Sequence, residues 1–187
     1  MIVEIGTSDF RTRAGLEDGL FIEPVKCYYD LLPACRKENI AISNYRGTLW
    51  VYYMQPEDIE LLGLPKWAKG CNSVNKPHPT ITGLLINKLG QAGLQYIKKS
   101  EVKVERIKTV LQKHKIKKIT TLKIDTEGHD CIILNDFLDT VNIKPENIVF
   151  EANHLTRPGD IAKVKNRLMR SGYKVRQYKS DYIAVLK

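Results

Sequence analysis

Asp125, Glu127 and His129 stand at alternate positions in Thr121-Leu-Lys-Ile-Asp-Thr-Glu-Gly-His-Asp130, where a short apolar run releases two carboxylates, a glycine and an imidazole. A carboxylate or imidazole beside a substrate hydroxyl takes its proton when its pKa suits the ambient pH. Ionisable groups at a strand's carboxyl end are also where an open α/β sheet exposes chemistry rather than packing. All three are candidates for positioning a substrate and accepting its proton, with Asp125 first and His129 next. The plainer assignment has Asp125 capping a following helix and Glu127 complementing its dipole, and the two roles are compatible.

Two further runs end in the same way. Ile2-Val3-Glu4-Ile5-Gly6-Thr7-Ser8-Asp9 joins an apolar strand and an acidic residue to a glycine turn, and Leu20-Phe21-Ile22-Glu23-Pro24 is another acidic strand end. Three acidic tips predict one shared crevice, and the hydrophobic periods predict what carries it. Strands are expected at 1–5, 20–23, 39–42 and 119–125, and at 148–151. Residues 25–36 have helical spacing that Pro33 should end or kink, and 46–54 is β-prone enough for an extra strand. Val104, Ile107, Val110, Leu111 and His114 fit one helix face, as do Cys131, Leu134 and Leu138 on a second helix. Ile161, Val164 and Leu168 predict a third, stopped by Gly172. Residues 173–178 and 182–186 form an antiparallel hairpin around Lys179-Ser180-Asp181. Alternating elements that close on a hairpin predict an α/β fold: a mainly parallel sheet, helices on both faces and one reversed strand. Residues 55–100, with four prolines, are too long to lack structure and predict short helices with a lid or substrate-facing loop.

The chain has 187 residues, 43% of them hydrophobic, which suits one domain with one substantial core. No leader is evident at the N-terminus, and no apolar run approaches the ~20 residues that cross a bilayer. A cytoplasmic protein without membrane contact is expected. Cys27, Cys35, Cys71 and Cys131 form no CxxC pair and predict reduced thiols. A formal charge of +9 favours acidic partners, nucleic acid or anionic glycans among them. The lysines between Lys98 and Lys118 lack interleaved aromatics, which is weak support for base stacking.

With that order in place, the chain resembles the class I S-adenosylmethionine-dependent methyltransferases, and among them the FkbM type. The carrying blocks are Val3-Glu4-Ile5-Gly6-Thr7-Ser8, Phe21-Ile22-Glu23-Pro24, Asn39-Ile40-Ala41-Ile42-Ser43, Leu122-Lys123-Ile124-Asp125-Thr126-Glu127-Gly128-His129 and Ile148-Val149-Phe150-Glu151. The resemblance implies a Rossmann-like, seven-stranded methyltransferase domain over 1–187, with the insert at about 55–100 facing the substrate. It implies methylation of an oxygen, on a hydroxyl of a sugar, glycan or small metabolite. RNA or another anionic acceptor is the alternative within enzymes. No second glycine closely follows Gly6, which keeps open a module that binds a nucleotide or partner without catalysis.

The cofactor so implied combines a sulfonium, an amino acid end, a ribose diol and adenine. Gly6, Thr7 and Ser8 would give close backbone approach, with Glu4, Ser8 or Asp9 at the ammonium. Glu23 would accept from the ribose diol beside Pro24, and Ala41 and Ile42 would flank adenine. Asp125 would touch cofactor and acceptor alike. Ser73 and His78 from the insert, with Glu151 and Asn153 after the next strand, would line the acceptor pocket. Glu151, Asn153 and His154, across the crevice from Asp125, would also allow a magnesium ion, which is not favoured.

Overall fold

The computed structural model describes residues 1–8 and 12–187. Its first half runs β1 (Ile2–Ile5), β2 (Gly19–Ile22), α1 (Lys26–Leu31), β3 (Lys37–Glu38), β4 (Ala41–Ile42), β5 (Gly47–Tyr53), α2 (Pro56–Leu61), β6 (Ser73–Val74) and α3 (Pro79–Leu89). The second half runs β7 (Lys98–Glu105), α4 (Ile107–Lys113), β8 (Thr121–Ile124), α5 (Asp130–Thr140), β9 (Asn147–Glu151), α6 (Pro158–Arg170), β10 (Tyr173–Tyr178) and β11 (Asp181–Leu186). Seven strands form the main sheet in the order β10-β11-β9-β8-β1-β2-β3. Neighbours from β9 to β3 are parallel, and β11 runs antiparallel to both β9 and β10. This is the expected Rossmann-like sheet with its terminal hairpin.

Strand alternation decides which residues form the core. Val3 and Ile5 of β1, Leu122 and Ile124 of β8, and Ile148 and Phe150 of β9 face one side. There they meet Ile107, Val110 and Leu111 of α4, Ile133, Leu134 and Phe137 of α5, and Val164 and Leu168 of α6. Gly172, at φ +98°, follows α6 as the left-handed residue expected there. On the opposite face, Ile2 and Phe21 pack against Ala14 and Leu32. Leu32 ends α1 in an extended conformation, as a residue preceding proline should.

Two expectations change. The strand expected at 39–42 is displaced: β3, at Lys37–Glu38, takes the place beside β2, whereas Ala41–Ile42 form β4 in a second sheet ordered β4-β7-β5-β6. Asn39 spans the break by donating from Nδ2 to the carbonyls of Glu23 and Pro24, at 2.8 and 3.0 Å. Val104 belongs to β7, not to the helix that starts at Ile107. The inward residues of β7 are Ser100, Val102 and Val104 among lysines and glutamates, an alternation too weakly apolar to stand out in sequence. The predicted extra strand is β5, paired with β7 over its whole length.

The second sheet packs Leu49, Val51 and Val104 against Val25 and Tyr28 of the α1 segment. The insert has its own small core of Met54, Ile59, Ala68, Ile81 and Leu85. Among the described residues, no helix is long and apolar enough to cross a membrane. Phe150 is wholly buried in the central sheet and stacks on Tyr182 at 5.4 Å, whereas Ile132 on α5 is 42% exposed. Urea denaturation should therefore show Phe150→Ala costing about 3–5 kcal/mol. Ile132→Ala should stay within about 0.5 kcal/mol of the wild type.

Candidate active site

Register brings the strand tips together. Ile22, Ile5, Ile124 and Phe150 are aligned partners across β2, β1, β8 and β9. The next residue on each strand is Glu23, Gly6, Asp125 or Glu151, so one row of the sheet ends in three carboxylates and a glycine. Gly6 has φ +81°, and a Cβ built there would lie 1.9 Å from the Asp125 carbonyl oxygen. No side chain fits between the tips of β1 and β8, and only glycine takes this turn cheaply.

Two adjoining spaces open at this row. The first is a narrow slot of about 50 Å3. Pro24, Ile40, Ala41, Ile42, Val51 and Val74 line its apolar part, while Gly6, Ser8, Glu23 and Asp125 reach it from the main sheet. The second, of about 450 Å3, spreads over the sheet face opposite α4–α6 and is polar, with Lys123, Asp125, Glu127, Glu151 and Asp181 among its lining residues. Trp67 and Cys71 close it from the insert. Gly6, Ser8, Gly70 and Asp125 line both spaces. Among the described residues, Asp125 is the one ionisable group at the junction.

Glu23 is buried, accepting the backbone N–H of Ser8 on Oε2 and that of Val25 on Oε1, both at 2.8 Å. Its carboxylate is thereby fixed in orientation at the slot. Glu4 is fully buried and lines neither space. It receives Lys123 Nζ at 2.8 Å, the Arg13 backbone N–H at 3.0 Å and Thr12 Oγ1 at 3.2 Å. Its observed partners anchor the chain after β1 and hold Lys123. Thr7 is buried outside both spaces, and its Oγ1 has no partner among the described residues. Asp9 lies outside the described residues.

Asp125, Glu127 and Glu151 each place a carboxylate oxygen within 4.8 Å of the others. Glu127 adopts φ +51°, a conformation costly for a residue with a Cβ, and two side chains hold it. Asn153 Nδ2 donates to Glu127 at 2.8 Å and to Glu151 at 2.7 Å, while its Oδ1 accepts the Leu155 N–H. His78 Nδ1 accepts the Thr80 N–H at 3.2 Å, so a neutral ring carries its hydrogen on Nε2 and donates it to Glu127 at 3.1 Å. Asp130, missed in the sequence, is wholly buried behind this cluster. It accepts from Thr126 Oγ1 and N–H and from the Glu151 N–H, tying the ends of β8 and β9 together.

The crowding has an electrostatic cost. Burial, reinforced by Glu127, Asp125, Asp130 and Asp181, pushes the Glu151 carboxyl well up. Burial pushes Asp130 up to about 7. Asp125 rises to about 6 through burial, opposed by Lys123 and assisted by Glu127. Its side chain keeps 43% of its surface open, so solvent screens much of that push. The Cys71 thiol is driven to about 12 by burial and the neighbouring carboxylates, which keeps it neutral.

His129 is set apart from the other two proton-acceptor candidates. It lines the slot, its Nε2 lies 3.0 Å from Ser43 Oγ, and burial lowers its pKa, leaving a neutral ring. Ser73 Oγ donates to the Lys76 carbonyl at 2.8 Å and belongs to a separate small recess with Pro77 and Gly128. His78 stands behind Glu127, outside the lining of the polar cavity among the described residues. For a hard cation, Asp125, Glu127 and Glu151 are the suitable donors. Cys71, His78 and Glu127 also cluster, but the protonated thiol and the Nε2 hydrogen of His78 oppose ligation there.

An acid with a raised folded-state pKa holds its proton where the unfolded chain has lost its own. Its stabilising effect is complete below the unfolded value and is lost as pH rises through the folded one. For Asp125 and Asp130 that window runs from about pH 4 to about 7, and Glu151 extends it upward. Thermal melts should show a lower Tm at about pH 9 than at about pH 5. Glu151→Gln should flatten this decline and melt above the wild type at the alkaline end.

A family model described as the methyltransferase FkbM domain matches residues 5–175 of the 187. No curated protein and no solved structure matches the chain. The family match spans the glycine turn of β1, the acidic end of β2, the carboxylate cluster and the start of the terminal hairpin. By that match, on a Rossmann-like α/β sheet, the chain belongs to the FkbM methyltransferase family.

Proposed function

We propose that this methyltransferase uses S-adenosylmethionine and methylates a hydroxyl oxygen on a sugar, glycan or small metabolite. The observation that carries the reading is the place of Asp125, at the junction of an apolar slot with a polar cavity. The cofactor, when bound, supplies an electrophilic methyl group on a sulfonium, already joined to a good leaving group. What remains for the protein is alignment of the acceptor along the displacement line and removal of its proton.

The slot has the chemistry for a nucleoside. The Glu23 carboxylate, oriented by two backbone N–H groups, stands at the slot as an acceptor for a ribose diol. Pro24, Ala41 and Ile42 offer apolar walls to the base. Gly6 and Ser8, which line both spaces, border the place where the amino acid end would lie. A volume of about 50 Å3 is below the several hundred typical of small-molecule sites, so binding must widen the slot.

On the acceptor side, Asp125 takes the hydroxyl proton, since a carboxylate raised above its ordinary pKa is a stronger base while still ionised at neutral pH. Glu127, held by His78 and Asn153, orients the acceptor, and Glu151, its pKa raised, keeps a proton and offers a donor. Excess carboxylate around this cavity disfavours a phosphate backbone, which ranks an uncharged polyol above RNA despite the net positive charge. A divalent ion is not needed in this reading, because Glu127 and Glu151 already receive N–H donors from Asn153 and His78. Four unpaired cysteines fit a reducing cytoplasmic setting.

Calorimetry with S-adenosylhomocysteine should detect binding, and Glu23→Gln should weaken it by at least about 10-fold. Asp125→Asn should leave that affinity within about 3-fold while suppressing transfer of labelled methyl to a sugar panel by ~100-fold or more. Absence of binding by the wild type would overturn the reading. Treatment with EDTA should leave transfer unchanged.

A further inference from the structure

The slot has one wall that nothing in the sequence marked as cofactor-facing. Gly70, Asn72 and Val74 reach it from the insert, whose expected role was toward the acceptor. Asn72 is the polar side chain of this wall. Its Nδ2 donates to the Lys69 carbonyl at 3.2 Å, which settles the orientation of the amide and leaves Oδ1 as the other end. That oxygen is shut off from solvent and has no hydrogen-bond partner among the described residues. A buried acceptor without a donor is costly, and a ligand that brings one relieves the cost.

We infer that Asn72 Oδ1 accepts the exocyclic amino group of adenine, so that a residue of the insert selects the cofactor's base. The inference rests on the cofactor reading above and adds the recognition of the base. The cofactor carries three kinds of N–H or O–H donor: ribose hydroxyls, the amino acid ammonium and the adenine amino group. The ribose is assigned to Glu23, and the ammonium to the backbone turn after β1. The adenine amino group remains for the apolar part of the slot, which Ile40, Ala41, Ile42, Val51 and Val74 line together with Asn72. A site with a buried acceptor strongly disfavours an analogue that presents a carbonyl at that position.

The test is calorimetric and needs no methyl acceptor. Wild type should bind S-adenosylhomocysteine at least about 10-fold more tightly than S-inosylhomocysteine, in which an oxo group replaces the amino group. Asn72→Ala and Asn72→Leu should lose about 10-fold toward the adenosyl compound and little toward the inosyl one, collapsing the ratio. Glu23→Gln should weaken both ligands alike and keep the ratio. Melting curves identify any variant that fails to fold, and the second Asn72 variant then decides. Tight S-adenosylhomocysteine binding with an unchanged ratio in a folded Asn72 variant overturns this inference alone. No binding of either compound by the wild type removes the cofactor reading and this inference with it.

Discussion

The close approach of Gly6 to the Asp125 carbonyl is the contact on which the site depends. A Cβ at Gly6 would sit 1.9 Å from that oxygen, so the tips of β1 and β8 can be neighbours only where the side chain is absent. Their adjacency lets one residue, Asp125, belong to both the slot and the cavity. It also aligns Glu23 and Glu151 on either side, because all four strands are in parallel register. Moving any of these strands by one residue would turn its carboxylate toward the helix-covered face.

Around that contact, the molecule tolerates a concentration of negative charge that a core would normally avoid. Asn153 bridges Glu127 and Glu151, His78 donates to Glu127, and Asp130 takes three donors from the loops behind. Lys123 stands on the other side, shared between Glu4 and Asp125 at 2.8 and 3.7 Å. These partners restrain the carboxylates without neutralising all of them, and burial, reinforced by neighbouring carboxylates, raises the pKa values of Asp125 and Glu151. Structure is thereby spent on reactivity, a trade expected where acid and base chemistry operate near neutral pH.

Elements with a strong period or an acidic strand end were legible in the amino-acid order. The main sheet, α5, α6, the terminal hairpin and the meeting of Glu23, Gly6 and Asp125 all follow from such signals. What remained hidden depends on long-range pairing. β7 has a polar outer face and modest inner residues, and its identity as a strand comes from β5 across the sheet. The break between β3 and β4, which belong to different sheets, is held by Asn39 satisfying carbonyls 15 and 16 residues away in sequence. His129 sits at the end of its loop and points to Ser43, a neighbour set by β4 rather than by its own motif. Asp130 carried no mark in sequence because its role is to receive donors from both sides of a gap that closes only in the folded chain.

The second sheet has two faces with different obligations. Val51 turns inward to the slot, while Trp50, one residue earlier, points outward, is 44% exposed and lies beneath Lys99 at 4.9 Å. Alternation along β5 therefore separates, at single-residue resolution, positions answerable to the slot from positions answerable to solvent. Descendants of this chain could rewrite the outward row, and with it their associations in the cell, while inheriting the inward row intact.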